Sequence, residues 1–534
     1  MSKHHIKVVI DINIVIIVIA VCSFLFFSCI RLDGQGLYYD EVHQAVGSFA
    51  YVGNPTYQFE SLTFHNIPIM NLNYSGAIKT AVYGLYMRIF DQSFSVISWR
   101  LVGILMVSIA LLLFGVLLYK ILSSVGLAIF YFLVITDITV LLTTRHDWGP
   151  TALALSLRLI LLAFWIRGEL SKEVKPRNTF LLVFLVAFSL FEKLSSVVLI
   201  IPLILMIFLN PKRRNKAHMI ASVYGGLVGA SPLIFANLLS YFTNDTLISF
   251  QFQKTTQNFS YASIISYAKE YLALGAGQAA QWFILGIKAD IFSQLELILF
   301  SSIILFVLFT LFKRRFAPVQ FRLSGILLLC YFIIMIQFPF IPQDTWIHHW
   351  IIGTPFQYLA IALFFSGLLE TKTIAKKVNY GLIFSVLLVI FSLYRLSGLV
   401  SVERALARGA TSPAWDKSLS QMGEFAASRS NSAIFAAEDW GISNQLICFT
   451  NGEGIVVQPT DSDGIFNAVK NRSKNELYLI FTVPARDVTP ETKKAFLDYI
   501  NQTISNEWQK VPVDKQIARL STFEVIKYQR ISSP

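Results

Sequence analysis

Eleven apolar runs divide this chain, at about residues 8–30, 94–118, 121–142, 150–166, 178–191, 195–210, 217–241, 291–312, 321–341, 350–369 and 379–400, and no other feature constrains its fold so strongly. Crossing a hydrocarbon core of about 30 Å takes about 20 helical residues, and most of the runs reach or approach that length. Backbone amides in lipid must be satisfied within their own segment, so the runs are predicted to be helices. A transmembrane barrel would show alternating stretches of about ten residues, a pattern this sequence lacks. The first run exceeds a signal-peptide core and has no small-residue cleavage site after it, so it reads as a retained helix. The expected fold is a polytopic α-helical membrane protein with about eleven transmembrane helices. Composition agrees, with 55% of the 534 residues hydrophobic and 14% charged, far from the usage of soluble domains.

The formal net charge of +12 does not imply a nucleic-acid partner, because the basic residues cluster between helices rather than on one face or tail. "RGELSKEVKPR" at 167–177, "PKRRNK" at 211–216, "KRRF" at 313–316 and "KTIAKK" at 372–377 fall on one side if the chain crosses twice between 178 and 210. Lys and Arg in short loops stay cytoplasmic, so eleven crossings with the N-terminus inside is the expected topology. That topology places the long 31–93 loop, the 143–149 turn, the 242–290 loop, the 342–349 loop and everything after 400 outside. The four cysteines form no disulfide framework and no metal-binding CxxC pattern.

After residue 402 the charged residues return, and short β-type runs appear at "SAIFAA", "GIVVQP", "LYLIFTV" and "TFEVIKY", with helix-like stretches at about 416–429 and 491–506. The sequence therefore divides into a transmembrane module, 1–401, carrying a first external loop at 31–93, and a small C-terminal extracytoplasmic α/β domain, 402–534. No Pro- or Ser-rich linker separates the two, so the tail is expected to pack rather than swing.

In the predicted topology the polar signatures gather on the outside. Asp40 and Glu41 begin the first loop in "GLYYDEVHQAVG", Arg145 and Asp147 lie in "TTRHDWGP", Lys193 follows Glu192, and His348 and His349 lie in "DTWIHHW". Each has a structural reading. Asp40 suits a helix N-cap, Asp147 could cap the helix starting near Pro150 and pair with Arg145, Lys193 could snorkel, and the histidines could belong to an interfacial aromatic belt. Ionisable groups converging beside a bilayer are nevertheless costly unless paired or wet, so their common depth suggests a site. Two carboxylates with several cations suit sugar transfer from a polyprenyl-phosphate carrier. A carboxylate takes the proton of the incoming hydroxyl, and cations hold the departing phosphate. No GxGxxG or other phosphate-binding Gly-rich loop is present.

At these residues the sequence resembles the GT-C superfamily of membrane glycosyltransferases, in the branch of the protein O-mannosyltransferases and the bacterial aminoarabinose transferases of lipid A. The resemblance covers roughly residues 8–400 and rests on "YYDEVHQA", on "PIMNLNYSGAIKTAVYGLYMRIF" with its membrane-surface helix, on "TTRHDWGPTAL" and on "HHWIIGTPFQYLA". It implies that Asp40 is the catalytic base with Glu41 beside it, that Asp147 is the second-loop acid, and that Lys79, Arg145, Lys193, His348 and His349 bind the donor phosphate. "FHNIPIM" matches the first-loop HxxPP-like turn only loosely, and the tail has no counterpart in the resemblance. The implied activity is inverting transfer of a sugar from a polyprenyl-phosphate donor to a lipid, glycan or protein acceptor outside the inner (plasma) membrane. No cofactor is required by this reading; a divalent ion held by Asp40, Glu41, Asp147 and the histidines, or the charges of Arg145 and Lys79 alone, are both open. The alternative is a transporter or flippase of a lipid-linked saccharide, which should carry polar or ionisable residues deep in several helices and paired broken helices at the midplane. In the sequence Asp137, Arg158 and Glu296 are scattered, and Gly225, Gly226 and Gly229 are the main mid-helix breakers.

Overall fold

The computed structural model describes residues 11–56, 61–250, 261–314, 319–341, 346–370, 380–437, 440–457, 462–471, 473–483, 489–504, 507–520 and 522–531, and every structural statement below concerns these residues. The basic run 372–377, part of 313–316 and Asp344 lie outside them. By its contacts the chain forms two compact units. A helical unit contains Met1–Ile30, Gly103–Phe283 and Ile287–Arg408, and a loop-and-tail unit contains Arg31–Val102, Ile284–Gly286 and Gly409–Pro534.

Each of the eleven apolar runs contains helix, from Ile12–Cys29 to Tyr380–Arg408. Eight of these helices are long and apolar enough to cross a membrane, and a ninth span results if Ser124–Ile135 and Ile138–His146, bent by 58° at their junction, count together. The bend has a local cause. Asp137 accepts the Val140 amide at 2.9 Å and so starts a new helix inside the apolar run. The runs at 178–191 and 195–210 are the two that fall short. Pro176–Glu192 has 17 residues, and Leu194–Phe208 is a shorter apolar helix that is 3-10 over Leu194–Leu199. The charged Glu192–Lys193 pair separates them, and Lys193 takes an extended conformation, with φ −153°.

Met219, Val223 and Leu227, one turn apart on Lys216–Asn244, are 65%, 61% and 57% exposed, as a lipid-facing stripe requires. Gly225 and Gly229, read in the sequence as breakers, lie within this continuous helix. A Cβ on either would collide with the Phe180 or Phe184 carbonyl oxygen, so they bring Lys216–Asn244 against Pro176–Glu192. Asp137 and Glu296, far apart in sequence, meet on Arg395. Tyr358 Oη donates to Asp137 at 2.6 Å, Arg395 Nη1 donates to Tyr358 at 2.8 Å and to the Ala276 carbonyl at 2.6 Å, and Glu296 lies 3.9 Å from Arg395 Nε. The expectation of scattered intramembrane charges is thus corrected for this pair, whose distant positions hid one buried network.

In the loop-and-tail unit, Tyr39–Val46 and Ile78–Phe90 are helices, and β1 (Leu62–Phe64), β2 (Ile67–Leu72) and β3 (Ser75–Gly76) form an antiparallel sheet between them in sequence. The tail contributes β4 (Ala433–Ala437), β5 (Ile455–Val457), β6 (Glu476–Thr482), β7 (Trp508–Val511) and β8 (Phe523–Arg530), in the spatial order β5-β4-β6-β8-β7. β4 runs parallel to β5 and β6, while β8 is antiparallel to β6 and β7. Every residue of β4 and β6 is buried, as central strands covered on both faces must be. The four expected strands and both expected helices are present. Missed were β7 and the helices Trp440–Phe449 and Ser462–Val469.

Candidate active site

Three of the eight predicted site residues lie in the loop-and-tail unit. Tyr38 precedes the Tyr39–Val46 helix, so Asp40 and Glu41 occupy its first turn, where the helix dipole favours carboxylates, and Asp40 is not the N-cap. Asp40 is the one residue of that helix that is not buried. Glu41 is fully buried, and Arg100 takes both its oxygens, Nε to Oε1 at 2.6 Å and Nη2 to Oε2 at 2.9 Å. Arg100 also donates to the Leu32 carbonyl, to Gln35 O at 3.0 Å and to Gly36 O at 2.9 Å, so one guanidinium gathers the loop entering the helix. Burial raises the Glu41 carboxyl above its ordinary range, opposed by Arg100 and by the nearby Lys79 charge. Lys79, 1% exposed, holds its Nζ 3.7 Å from the centre of the Trp99 ring, a cation–π contact. His43, on the same helix as Asp40, is pushed down to about 4 by burial, with the Asn71 backbone acting in the opposite sense.

The other five predicted residues lie in the helical unit. Asp147 ends Ile138–His146 in a left-handed conformation, φ 45°, and its Oδ1 accepts the Ala152 amide at 2.8 Å and the Thr151 hydroxyl at 3.2 Å. It therefore caps the first turn of Thr151–Leu170. Arg145, fully buried, donates to the Ser28 carbonyl at 3.2 Å and to that of Ile30, satisfying acceptors at the end of Ile12–Cys29.

Lys193, His348 and His349 do come together. Gly149, at φ 61°, turns the chain beside them, and a Cβ there would stand 3.2 Å from Lys193 Nζ and 3.4 Å from His348 Cδ2. Trp148 stacks on His348 with centroids 4.8 Å apart, and the two imidazoles lie 4.0 Å apart. The Trp346 amide donates to His349 Nδ1 at 3.1 Å, so that nitrogen is an acceptor and the ring proton sits on Nε2. Among the described residues neither His349 Nε2 nor His348 Nδ1 has a hydrogen-bond partner, although the two side chains are only 5% and 7% exposed. Arg158 supports this segment, its Nε donating to the Thr354 carbonyl at 2.9 Å. The arrangement can receive an anion, with an ammonium and a neutral imidazole N–H as donors.

Sequence reasoning missed Arg100 and Trp148. An arginine at the seventh position of the apolar run 94–118 was a readable signal, since such residues are rare and seldom idle. Among the described residues no group of three or more His, Cys, Asp or Glu side chains could hold a metal ion.

No family model matches the sequence, and no curated protein matches it. Solved structures do. The chain is similar to ArnT from Cupriavidus metallidurans bound to undecaprenyl phosphate, with a TM-score of 0.58 at 12% identity over 96% of this chain and 97% of that one. The apo form of the same protein gives 0.59 at 11% identity over the same shares. This chain has the ArnT-like GT-C fold. The arabinofuranosyltransferase AftD from Mycobacteria matches as well, with a TM-score of 0.55 at 13% identity over 97% of this chain but only 40% of that one. The GT-C fold thus extends through the tail, beyond the 8–400 region in which the sequence resembled it.

Proposed function

We propose that this protein is a membrane glycosyltransferase that moves a sugar from a polyprenyl-phosphate donor to an acceptor hydroxyl, with inversion. The observation that carries the reading is Asp40: the one unburied side chain of its helix, in a chain whose fold matches ArnT over nearly its whole length. Asp40 takes the hydroxyl proton as the acceptor oxygen bonds to the anomeric carbon, and the bond to the phosphate breaks with its electron pair leaving on phosphate oxygen. Within the helical unit, Lys193, His348 and His349 form a cluster whose donors suit a phosphate. Glu41 positions rather than reacts, because both of its oxygens are spent on Arg100. Asp147 acts by capping the helix that follows it. Lys79 and Arg145 contribute positive charge from buried positions. The clustered basic loops favour an N-terminus in the cytoplasm and a tail outside, in keeping with a plasma (inner) membrane enzyme.

The test is to supply purified protein in nanodiscs with a panel of polyprenyl-phosphate hexoses and pentoses and candidate lipid, glycan and protein acceptors. The reading expects release of polyprenyl phosphate and a product inverted at the anomeric carbon. Movement of intact lipid-linked saccharide across the bilayer without bond cleavage would mark a transporter instead.

A further inference from the structure

The residues leading into Asp40 are anchored in the tail. Tyr38 stacks on Trp415, with ring centroids 4.3 Å apart and planes at 25°. Tyr39 belongs to the tail's hydrophobic cluster with Leu419, Met422, Ile442 and Leu446, and Gly441 lies so close to its ring that no Cβ would fit. The backbone is held too. The Gly36 amide donates to the Trp415 carbonyl at 2.8 Å, and Gln445 Nε2 donates to the Leu37 carbonyl at 2.6 Å. Gln35 Nε2 donates to Ala410 O at 3.1 Å. Five successive residues, Gln35 to Tyr39, are thus tied to the tail, more than 370 positions away in sequence, and the next residue is Asp40.

We propose that the C-terminal α/β domain is a positioning element for the transfer step, with Trp415 and Gln445 setting the direction in which Asp40 presents its carboxylate. The role rests on the reading of Asp40 as base. A carboxylate on a short helix next to a loop has no rigidity of its own, and a displacement of about 1 Å at a reacting group can cost about a hundredfold in rate. Stacking, core insertion and two main-chain hydrogen bonds just upstream supply that rigidity from a folded domain. A tail built only to bind acceptor would not need to grip the base-bearing helix in this way.

The test compares Trp415→Ala, Trp415→Phe and Gln445→Leu with wild type and Asp40→Asn, all as full-length protein in nanodiscs, per folded enzyme judged by thermal unfolding. Expected for Trp415→Ala and Gln445→Leu is a fall in kcat of about tenfold or more, with donor and acceptor KM unchanged and the acid limb of the pH–rate profile displaced. Trp415→Phe, which keeps a stacking ring, should recover most of the rate. If Trp415→Ala does not fold, Gln445→Leu decides. Wild-type kcat in the folded variants, or a raised acceptor KM with kcat retained, overturns the positioning role. An active Asp40→Asn instead overturns the assignment of the base, so the two failures are distinguishable.

Discussion

Arg100 and Glu41 form a buried two-bond ion pair, 2.6 and 2.9 Å, neither side chain having any solvent exposure. The same guanidinium binds three carbonyls of the preceding loop, so the pair fixes the path of the chain into the Tyr39–Val46 helix. Adjacent carboxylates therefore differ: Glu41 is buried on Arg100 and holds the helix, while Asp40 is half-buried.

Removing one partner of such a pair leaves a buried charge without compensation and typically costs about 3–5 kcal/mol. Glu41→Ala and Arg100→Ala are each expected to lower the thermal unfolding midpoint markedly. The double variant should lose less than the sum, and strict additivity would show that the pair does not act as a unit.

His43 supplies a pH dependence. Its folded-state pKa of about 4 lies below the ordinary 6.5, so the native state resists protonation. The associated stability is complete above about 6.5 and is lost as pH falls toward about 4, on the order of 3 kcal/mol in all. His43→Gln should flatten the fall in unfolding midpoint across that window. An unchanged slope would place the acid sensitivity elsewhere.

Lys193 and the histidines should bear on the donor. Charge-assisted hydrogen bonds to phosphate are worth about 1.5–3 kcal/mol, so Lys193→Gln should weaken binding of polyprenyl phosphate about ten- to hundredfold while leaving the acceptor KM near wild type. Arg145→Gln, which removes bonds to the Ser28 and Ile30 carbonyls, should reduce stability more than donor affinity. Equal loss of donor affinity in both would contradict the division of roles.

The Tyr358–Asp137 hydrogen bond, 2.6 Å and buried, belongs to the network around Arg395. Tyr358→Phe leaves Asp137 without that donor and should cost about 1–3 kcal/mol without altering donor affinity. A change confined to donor binding would move the network into the site.

The apolar runs were legible because each carries its own fold signal, and the helices of the helical unit follow them. Where a polar residue interrupts a run the reading was incomplete: Asp137 starts a second helix within the 121–142 run, whereas the break at Glu192–Lys193 between the short 178–191 and 195–210 runs was legible. Four tail strands were readable from β-branched and aromatic runs, whereas β7, "WQKV", is a short edge strand with two exposed polar residues at its centre. The division between Asp40 and Glu41 could not be read locally, because it is set by Arg100, 59 positions on. Likewise the contacts of Trp415 with Tyr38 and of Gln445 with Leu37, just ahead of the Asp40-bearing helix, join positions far apart in sequence. The convergence of Lys193 with His348 and His349 was foreseen from topology, and that of Asp137 with Glu296 was not.

The central claim is that Asp40 is the base of glycosyl transfer, and single-turnover transfer by Asp40→Asn measures it most directly. With donor-loaded enzyme in nanodiscs, the account predicts a rate lower by about 10²–10⁴, with polyprenyl-phosphate binding and unfolding midpoint near wild type. A folded, donor-bound Asp40→Asn protein that transfers sugar at the wild-type rate would contradict it.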